Sequence, residues 1–251
     1  MKPPRRPWGE FPDVLIHADE SRVKQHPAYA AAKSGDAAAA LELVRSVFCV
    51  KLPEQLRSIV GDSQPILVSA HAYEREGVNA IPEVLADVMA GNLGWQVDSG
   101  VVQTNVVTHT GADGFSRLAR QPAFDGEVAA GTDYVMVDDF VGMGGTLANL
   151  RGHIESQGGR VLAAVVLTGK PHSAKLRLTP ERLHELRSRH GAELEHWWQE
   201  RFGHAFDALT ESEARYLVRT PDVATIRNRI VAAEQAGDCP QGGGEQVAPD
   251  D

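Results

Sequence analysis

The sequence lacks several features that are typical of particular classes of protein. Its 251 residues include only two cysteines, Cys49 and Cys239, so we expect no disulfide framework and a reducing, cytoplasmic location. No apolar run approaches the length of a membrane span, and Arg5-Arg6 precedes no apolar segment, so neither a membrane segment nor a twin-arginine signal is expected. The 25 basic residues are outnumbered by 34 acidic ones and form no block, which argues against nucleic acid as a partner.

The most informative stretch runs from Tyr134 to Leu147 and has the sequence YVMVDDFVGMGGTL. Its apolar beginning is typical of a buried strand, and the acids Asp138 and Asp139 follow directly. Three glycines among residues 142 to 145 let consecutive backbone N–H groups converge without obstruction by side chains. The helix predicted to follow adds its positive N-terminal end, so the pattern indicates a phosphate-binding loop.

The residues after this glycine loop predict its position in the fold. Leu147, Leu150 and Ile154 recur at helical spacing, and Val161 to Thr168 is a second continuous apolar run, as in buried parallel strands. Strand, loop, helix and strand form one crossover unit. The loop is therefore expected at the carboxyl end of a central strand, where open α/β sheets bind ligands.

Two carboxylates beside a phosphate site would repel the ligand unless a neutral, hydroxylated group lies between them. Vicinal hydroxyls donate strong hydrogen bonds to carboxylates, so a ribose 5-phosphate has the required layout. A Walker A loop is excluded because Gly145 stands where that loop needs lysine. A dinucleotide fingerprint is excluded because Leu147 stands in place of its third glycine, and its acid follows the loop instead of preceding it.

The segment from Val137 to Thr146, VDDFVGMGGT, resembles the PRPP-binding motif of the type I phosphoribosyltransferases. The resemblance covers roughly residues 60 to 175 and implies an α/β fold with a central, mainly parallel sheet, here with helical additions at both ends. It implies that Asp138 and Asp139 hold the ribose hydroxyls as catalytic residues. The 5-phosphate would bind the loop residues Gly142, Met143, Gly144, Gly145 and Thr146. The family usually carries a hydroxyl residue where Gly142 stands, and often another at Met143, so a side-chain contact to phosphate is lost.

The same resemblance implies two further parts of the site. The loop after the predicted strand Ile66–Ser69 would grip pyrophosphate, through Ser69, Ala70, His71 and Arg75. A next strand is predicted from Val101 to Val107, and residues 108 to 127 show no periodic pattern, which fits a mobile lid over the reacting ribose. In this lid His109, Arg117 and Arg120 could neutralise the departing pyrophosphate, with His109 and Arg117 as catalytic residues. Mg²⁺ would arrive on the diphosphate, without a dedicated protein metal site.

The remaining sequence predicts four regions. Residues 1–12 form an extended arm, 13–175 the core with an N-terminal helical cap, 176–235 a helical region and 236–251 a disordered tail. Asp36 is a plausible helix N-cap, and Thr210 with Glu213 resembles a capping box. Trp197-Trp198 could stack on an acceptor ring, but aromatic residues on a helix are core residues more often.

The sequence therefore predicts a glycosyltransferase of nucleotide metabolism. This phosphoribosyltransferase would move a 5-phosphoribosyl group from PRPP to an unidentified small-molecule acceptor and release pyrophosphate. The alternative is a non-catalytic PRPP or nucleotide sensor on the same fold. A third hypothesis, an interaction protein that uses the C-terminal helices, requires the acid–glycine motif to be accidental. A homodimer is left open.

Overall fold

The computed structural model of the chain describes residues 2–70, 73–74, 77–105 and 113–238, with 73–74, 77–78 and 237–238 described in backbone only. The strands in chain order are β1 (Leu15–Asp19), β2 (Ile66–Ser69), β3 (Tyr73–Glu74), β4 (Gly77–Val78), β5 (Val97–Asp98), β6 (Val102–Gln103), β7 (Phe124–Asp125), β8 (Asp133–Val141) and β9 (Arg160–Gly169).

The helices surround these strands and extend the fold at both ends. In chain order they are α1 (Glu20–Lys24), α2 (Tyr29–Lys33), α3 (Ala37–Val47), α4 (Leu52–Val60), α5 (Ile81–Leu93), α6 (Gly114–Ala119), α7 (Gly145–Ser156), α8 (Pro180–Phe202), α9 (Glu211–Val218) and α10 (Val223–Asp238). Gly191 interrupts α8 with a φ of 72°, so α8 is two helices joined at a kink. Within the described residues, no helix combines the length and apolarity needed to cross a bilayer.

The central sheet has five strands in the order β1-β9-β8-β2-β5, and every neighbouring pair is parallel. The prediction of an α/β fold with a mainly parallel central sheet and helices at both ends is thereby confirmed. The long apolar strands β8 and β9 lie in the middle, where burial on both faces favours continuous apolar runs. Both were predicted from the sequence, as was β2.

The edges of the sheet differ from the prediction. One edge is β1, which the sequence analysis did not identify as a strand. The predicted strand Val101–Val107 is wrong in its described part, because only Val102–Gln103 is a strand and it pairs antiparallel with β7, outside the central sheet. The other edge is the two-residue strand β5, which pairs with β2. A strand of two residues is too short to leave an alternating pattern in the sequence.

Alternation along β8 separates the two layers that cover the sheet. Val135 and Val137 face a core formed with α2 to α5, while Tyr134 and Met136 face a core formed with α7 and the N-terminal arm. Residues 2–8 of the arm form no helix or strand, and its Trp8 is buried in that second core.

A third core holds the C-terminal helices together and includes α6. Phe115 and Leu118 of α6 are buried among side chains of α8, α9 and α10, with Trp198 at the centre as a fully buried core residue. The stretch from 108 to 127, which was predicted as a mobile lid, contains α6 and β7 in its described part. The side chain of Asp113 caps the N-terminus of α6, and apolar burial fixes the helix against the C-terminal cluster.

Candidate active site

Asp138 and Asp139 are consecutive residues near the end of β8, so their side chains point to opposite faces of the sheet. Asp138 shares its face with Met136 and lies on the α7 side, where its exposed fraction is 6 %. Asp139 shares its face with Val137 and lies on the α2 side, where it meets Lys33 at the end of α2. The acids therefore have different surroundings although they are adjacent in sequence.

Asp139 is ionised and paired. Its Oδ2 lies 3.0 Å from the Nζ of Lys33, and the two side chains are 14 % and 25 % exposed. Burial by itself would raise the pKa of Asp139, but the charge of Lys33 and hydrogen bonds from Lys33 and Asn79 outweigh burial and lower the pKa. Asn79 is buried, and its Oδ1 also accepts the N–H of Ile81, the first residue of α5, at 3.2 Å.

Asp138 has the opposite behaviour. Burial, and after it the negative charge of Asp139, raise the pKa of Asp138 well above its usual range. Its Oδ1 accepts the backbone N–H of Asp139 at 2.7 Å, which only partly offsets these effects. The pair thus combines the carboxylate of Asp139 with the carboxyl group of Asp138, which holds its proton more tightly than an ordinary aspartic acid does.

Directly after β8, the chain forms the glycine loop and enters α7. Gly144 is the N-cap residue of α7 with a φ of 84°, a left-handed conformation that glycine adopts without strain. Because Gly144 has no side chain, the N–H groups of the first turn of α7 are not capped by their N-cap residue and are available to a ligand. These N–H groups and the helix dipole favour an anion.

The glycine loop packs against residues that follow it in the chain. A Cβ built on Gly144 would lie 2.4 Å from Cδ2 of Leu176, so only glycine fits there. The Oγ1 of Thr210 donates to the carbonyl oxygen of Met143 at 2.6 Å. This bond ties the glycine loop to the N-cap residue of α9.

A buried ion pair lies next to this contact. Arg5 of the N-terminal arm and Glu213 of α9 are 2.7 Å apart, with side chains 1 % and 2 % exposed. The Nε of Arg5 also donates to Oδ1 of Asn149 in α7. Glu213 completes the predicted capping box with Thr210, which is confirmed. The arm, α7 and α9 therefore meet behind the loop.

The other predicted site residues divide into three groups. Ser69 and Ala70 lie beside the acids, since Ser69 pairs with Val137 and the Ala70 N–H donates to the Val137 carbonyl at 2.8 Å. Arg117 lies at the glycine loop, with its Nη1 2.7 Å from the position a Cβ would take on Gly142. Arg120 is not at the site, because its guanidinium donates to the carbonyl of Ala233 in α10. The predicted residues His71, Arg75 and His109 lie outside the described residues.

The sequence analysis missed four basic or polar neighbours of the loop and the acids. These are Lys24, whose Nζ lies 4.9 Å from the centroid of the Phe140 ring, together with Lys33, Asn79 and Thr210. Lys33 is 106 positions away from Asp139, so no local pattern links the two residues. The capping box could have pointed to Thr210, but not to its bond with the glycine loop.

The fold and the site together define a class: an α/β protein with a parallel sheet, in which an acid pair and a glycine loop lie at the carboxyl end of a central strand. No protein-family model matches the chain. The chain is 43 % identical to protein TraN of Escherichia coli over 229 residues, which are 91 % of this chain and 51 % of TraN. It is 37 % identical to an uncharacterized protein of Haemophilus influenzae over 151 residues, or 60 % of this chain and 34 % of that protein. The chain thus spans about half of the first relative and a third of the second.

Solved structures that resemble the chain are phosphoribosyltransferases at low similarity. An adenine phosphoribosyltransferase covers 60 % of this chain and 75 % of its own, with 12 % identity and a TM-score of 0.35. Adenine phosphoribosyltransferase from Leishmania donovani covers 65 % and 72 %, with 14 % identity and a TM-score of 0.34. These TM-scores are too low to carry an argument, so the description of the fold rests on the topology of the chain itself.

Proposed function

We propose that this chain is a phosphoribosyltransferase, a glycosyltransferase that moves the 5-phosphoribosyl group of PRPP to a small-molecule acceptor and releases pyrophosphate. One observation carries the proposal. An acid pair at the carboxyl end of a central strand runs directly into a glycine loop and the uncapped N-terminus of α7. Carboxyl oxygens that accept hydrogen bonds from hydroxyls therefore lie next to N–H groups that donate hydrogen bonds to a phosphate. A 5-phosphoribosyl group requires this arrangement.

In this proposal each part of the site has one role. The N–H groups of residues 142–146 hold the 5-phosphate, and Asp138 and Asp139 orient the ribose through its hydroxyls. Ser69 and Ala70, at the carboxyl end of the neighbouring strand, face the departing pyrophosphate. The acceptor forms a bond to the ribose C1 as the C1–O bond to pyrophosphate breaks, and pyrophosphate leaves with that electron pair. Fixing both ends of the ribosyl group supplies the positioning on which such a displacement depends.

The unequal acids support different tasks. Asp139, whose pKa is lowered, is ionised at neutral pH and accepts a hydroxyl hydrogen bond. Asp138, whose pKa is raised by burial and by the charge of Asp139, can hold or exchange a proton nearer to neutral pH. Neighbouring titratable groups with pKa values pushed apart are typical of sites with divided acid–base roles.

Mg²⁺ fits this site as a partner of the ligand. Among the residues that the structure describes, no three His, Cys, Asp or Glu side chains cluster as metal ligands, and Asp139 is already paired with Lys33. Mg²⁺ commonly binds through substrate phosphates and waters with few protein ligands. When bound, it would offset the negative charge on the diphosphate, while the chain itself holds the ribose and the 5-phosphate.

The Lys33–Asp139 pair also favours a second candidate, a PRPP or nucleotide sensor. The amine of Lys33 occupies one oxygen of the carboxylate that would bind ribose, so ligand binding has to compete with an existing ion pair. This competition is compatible with a sensor, because a sensor needs a ligand-dependent rearrangement and no turnover. Release of pyrophosphate from PRPP in the presence of a mixture of nucleobases and amines distinguishes the enzyme, which releases it, from the sensor, which does not.

Titration calorimetry tests the shared basis of both candidates. We expect PRPP with Mg²⁺ to bind, and ribose 5-phosphate to bind more weakly because it lacks the diphosphate. Asp125→Asn, an exposed carboxylate on β7, serves as the control and leaves both affinities unchanged. Absence of heat and of displacement with PRPP at millimolar concentration would eliminate both candidates.

A further inference from the structure

The glycine loop lacks a side chain at its first position, and a residue from elsewhere in the fold occupies that volume. A Cβ built on Gly142 would lie 2.7 Å from Nη1 of Arg117 and 3.1 Å from Cε1 of Phe140. The backbone does not require glycine here, because Gly142 is not among the residues with a positive φ. Glycine at position 142 therefore makes room for the guanidinium of Arg117.

The fold fixes the helix that carries this guanidinium. Phe115 and Leu118, on either side of Arg117 in α6, are buried in the core of the C-terminal helices. One turn later, Arg120 anchors the end of α6 by donating to the carbonyl of Ala233 in α10. The C-terminal helices thus deliver one arginine to the loop and hold a second one away from it.

The surroundings of the loop are cationic. The pKa of Glu20 is lowered chiefly by its hydrogen bond from Lys24, and the charges of Lys24, Lys170 and Arg117 add to the effect. These three cations therefore lie within electrostatic reach of one acid. The Nζ of Lys24 also lies over the ring of Phe140, the residue two positions before Gly142. Lys24 is itself paired with Glu20 at 2.6 Å, and positive charge near the loop attracts an anion.

From these contacts we infer that Arg117 binds the anion held by the glycine loop, in place of a side chain at position 142. The inference rests on the proposed function, in which that anion is the 5-phosphate of the ribosyl group. It changes the role predicted for Arg117 from the sequence, because a residue of the lid would meet the pyrophosphate at the other end of the ligand. It also gives the C-terminal helices a function, which is to hold α6 against the loop.

Comparison of two ligands separates the two roles of Arg117. Ribose 5-phosphate carries the 5-phosphate alone, whereas PRPP carries the 5-phosphate and the diphosphate. We expect Arg117→Ala to weaken the binding of both by the same factor, roughly tenfold for the loss of a charge-assisted hydrogen bond in a half-exposed site. Arg117→Lys keeps the positive charge and should weaken the binding of both ligands less than Arg117→Ala does. Arg160→Ala, which removes an exposed arginine at the amino end of β9, is the control and leaves both affinities unchanged.

A double-mutant cycle with Gly142→Ser tests the shared volume directly. In the parent chain the serine Cβ displaces the guanidinium and weakens the binding of ribose 5-phosphate. In the Arg117→Ala background the same serine enters vacated space and its hydroxyl can donate to the phosphate, so binding improves. A change of sign between the two backgrounds supports the inference. Losses that simply add would contradict it, and thermal unfolding of each variant confirms that it is folded.

The outcomes also separate this inference from the proposed function. If Arg117→Ala weakens PRPP and leaves ribose 5-phosphate unchanged, Arg117 serves the pyrophosphate, and the inference fails while the function stands. If the parent binds inorganic phosphate and ribose 5-phosphate through Arg117 but does not bind PRPP, the inference stands and the function fails. If the parent binds none of the three ligands, both fail.

Discussion

The two acids of the site should affect the stability of the ligand-free protein in opposite directions, although they are adjacent and chemically identical. We expect Asp139→Asn to lower the melting temperature at neutral pH and Asp138→Asn to raise it. The reason is their different surroundings: Asp139 is ionised and paired with Lys33, whereas Asp138 is a buried carboxyl whose ionisation is opposed by burial and by Asp139.

The size of the Asp139 effect follows from the geometry of its ion pair. The two charged groups are 3.0 Å apart and their side chains are 14 % and 25 % exposed, so the pair lies between the surface and the interior. Exposed pairs contribute up to about 1 kcal/mol, and breaking a buried pair costs about 3–5 kcal/mol, which places this one near 2 kcal/mol. For a chain of this size about 1 kcal/mol shifts the melting temperature by roughly 2–4 °C, so Asp139→Asn should lower it by about 4–8 °C.

The contributions of the two acids to the stability of the fold change with pH in opposite directions. Because the folded pKa of Asp139 is lowered, its contribution is present above the unfolded pKa of about 3.9 and is lost as the pH falls through the folded value. Because the folded pKa of Asp138 is raised, the folded state holds a proton that the unfolded state has released. Its contribution is therefore present in acid and is lost as the pH rises from about 3.9 through the folded pKa.

Thermal unfolding followed by circular dichroism from pH 4 to pH 8 measures both effects. The advantage of Asp138→Asn should grow as the pH rises, because asparagine cannot ionise. The deficit of Asp139→Asn should be constant near neutral pH and shrink toward pH 4. Equal losses for the two variants at every pH would show that the assigned difference between the acids is wrong.

Two further variants test the support behind the glycine loop. Arg5→Met leaves Glu213 buried without its partner, so it should cost about 3–5 kcal/mol and lower the melting temperature by roughly 6–20 °C. Adding Glu213→Gln should recover part of that loss. No recovery would show that the ion pair is not the cause of the loss. Thr210→Val removes a helix cap and the bond to the Met143 carbonyl, so it should cost about 1–2 kcal/mol and also weaken the binding of ribose 5-phosphate in calorimetry. The control is Asp36→Ala, which removes a cap on α3 and should lower stability alone; equal affinities for both variants would contradict the role of Thr210 at the loop.

The centre of the fold could be predicted from the sequence because its signals are local. The apolar runs of β8 and β9, the helical spacing in α7 and the glycine loop between them lie within 40 consecutive residues. Strand, helix and loop preferences act over such distances, and the parallel pairing follows from the crossover. The caps at Asp36 and Thr210 were predictable for the same reason.

The rest of the site depends on contacts between distant parts of the chain. Lys33 reaches Asp139 from a short alanine-rich helix whose own sequence carries no sign of a ligand site. Arg117 looked like a lid residue because the pattern around it is aperiodic, but α6 is held by apolar residues of helices that begin more than 60 positions later. The missing side chain at Gly142 was visible in the sequence, and the structure supplies its physical reason in the position of Arg117.

The central claim is that the acid pair and the glycine loop bind the ribosyl group of PRPP, and a crystal structure of the chain with PRPP and Mg²⁺ tests it most directly. We predict that the 5-phosphate lies within hydrogen-bond distance of the N–H groups of residues 142–146, with the ribose hydroxyls on Asp138 and Asp139. The guanidinium of Arg117 should contact the same phosphate. PRPP bound elsewhere, or bound in reverse with its diphosphate on the glycine loop, would contradict the account.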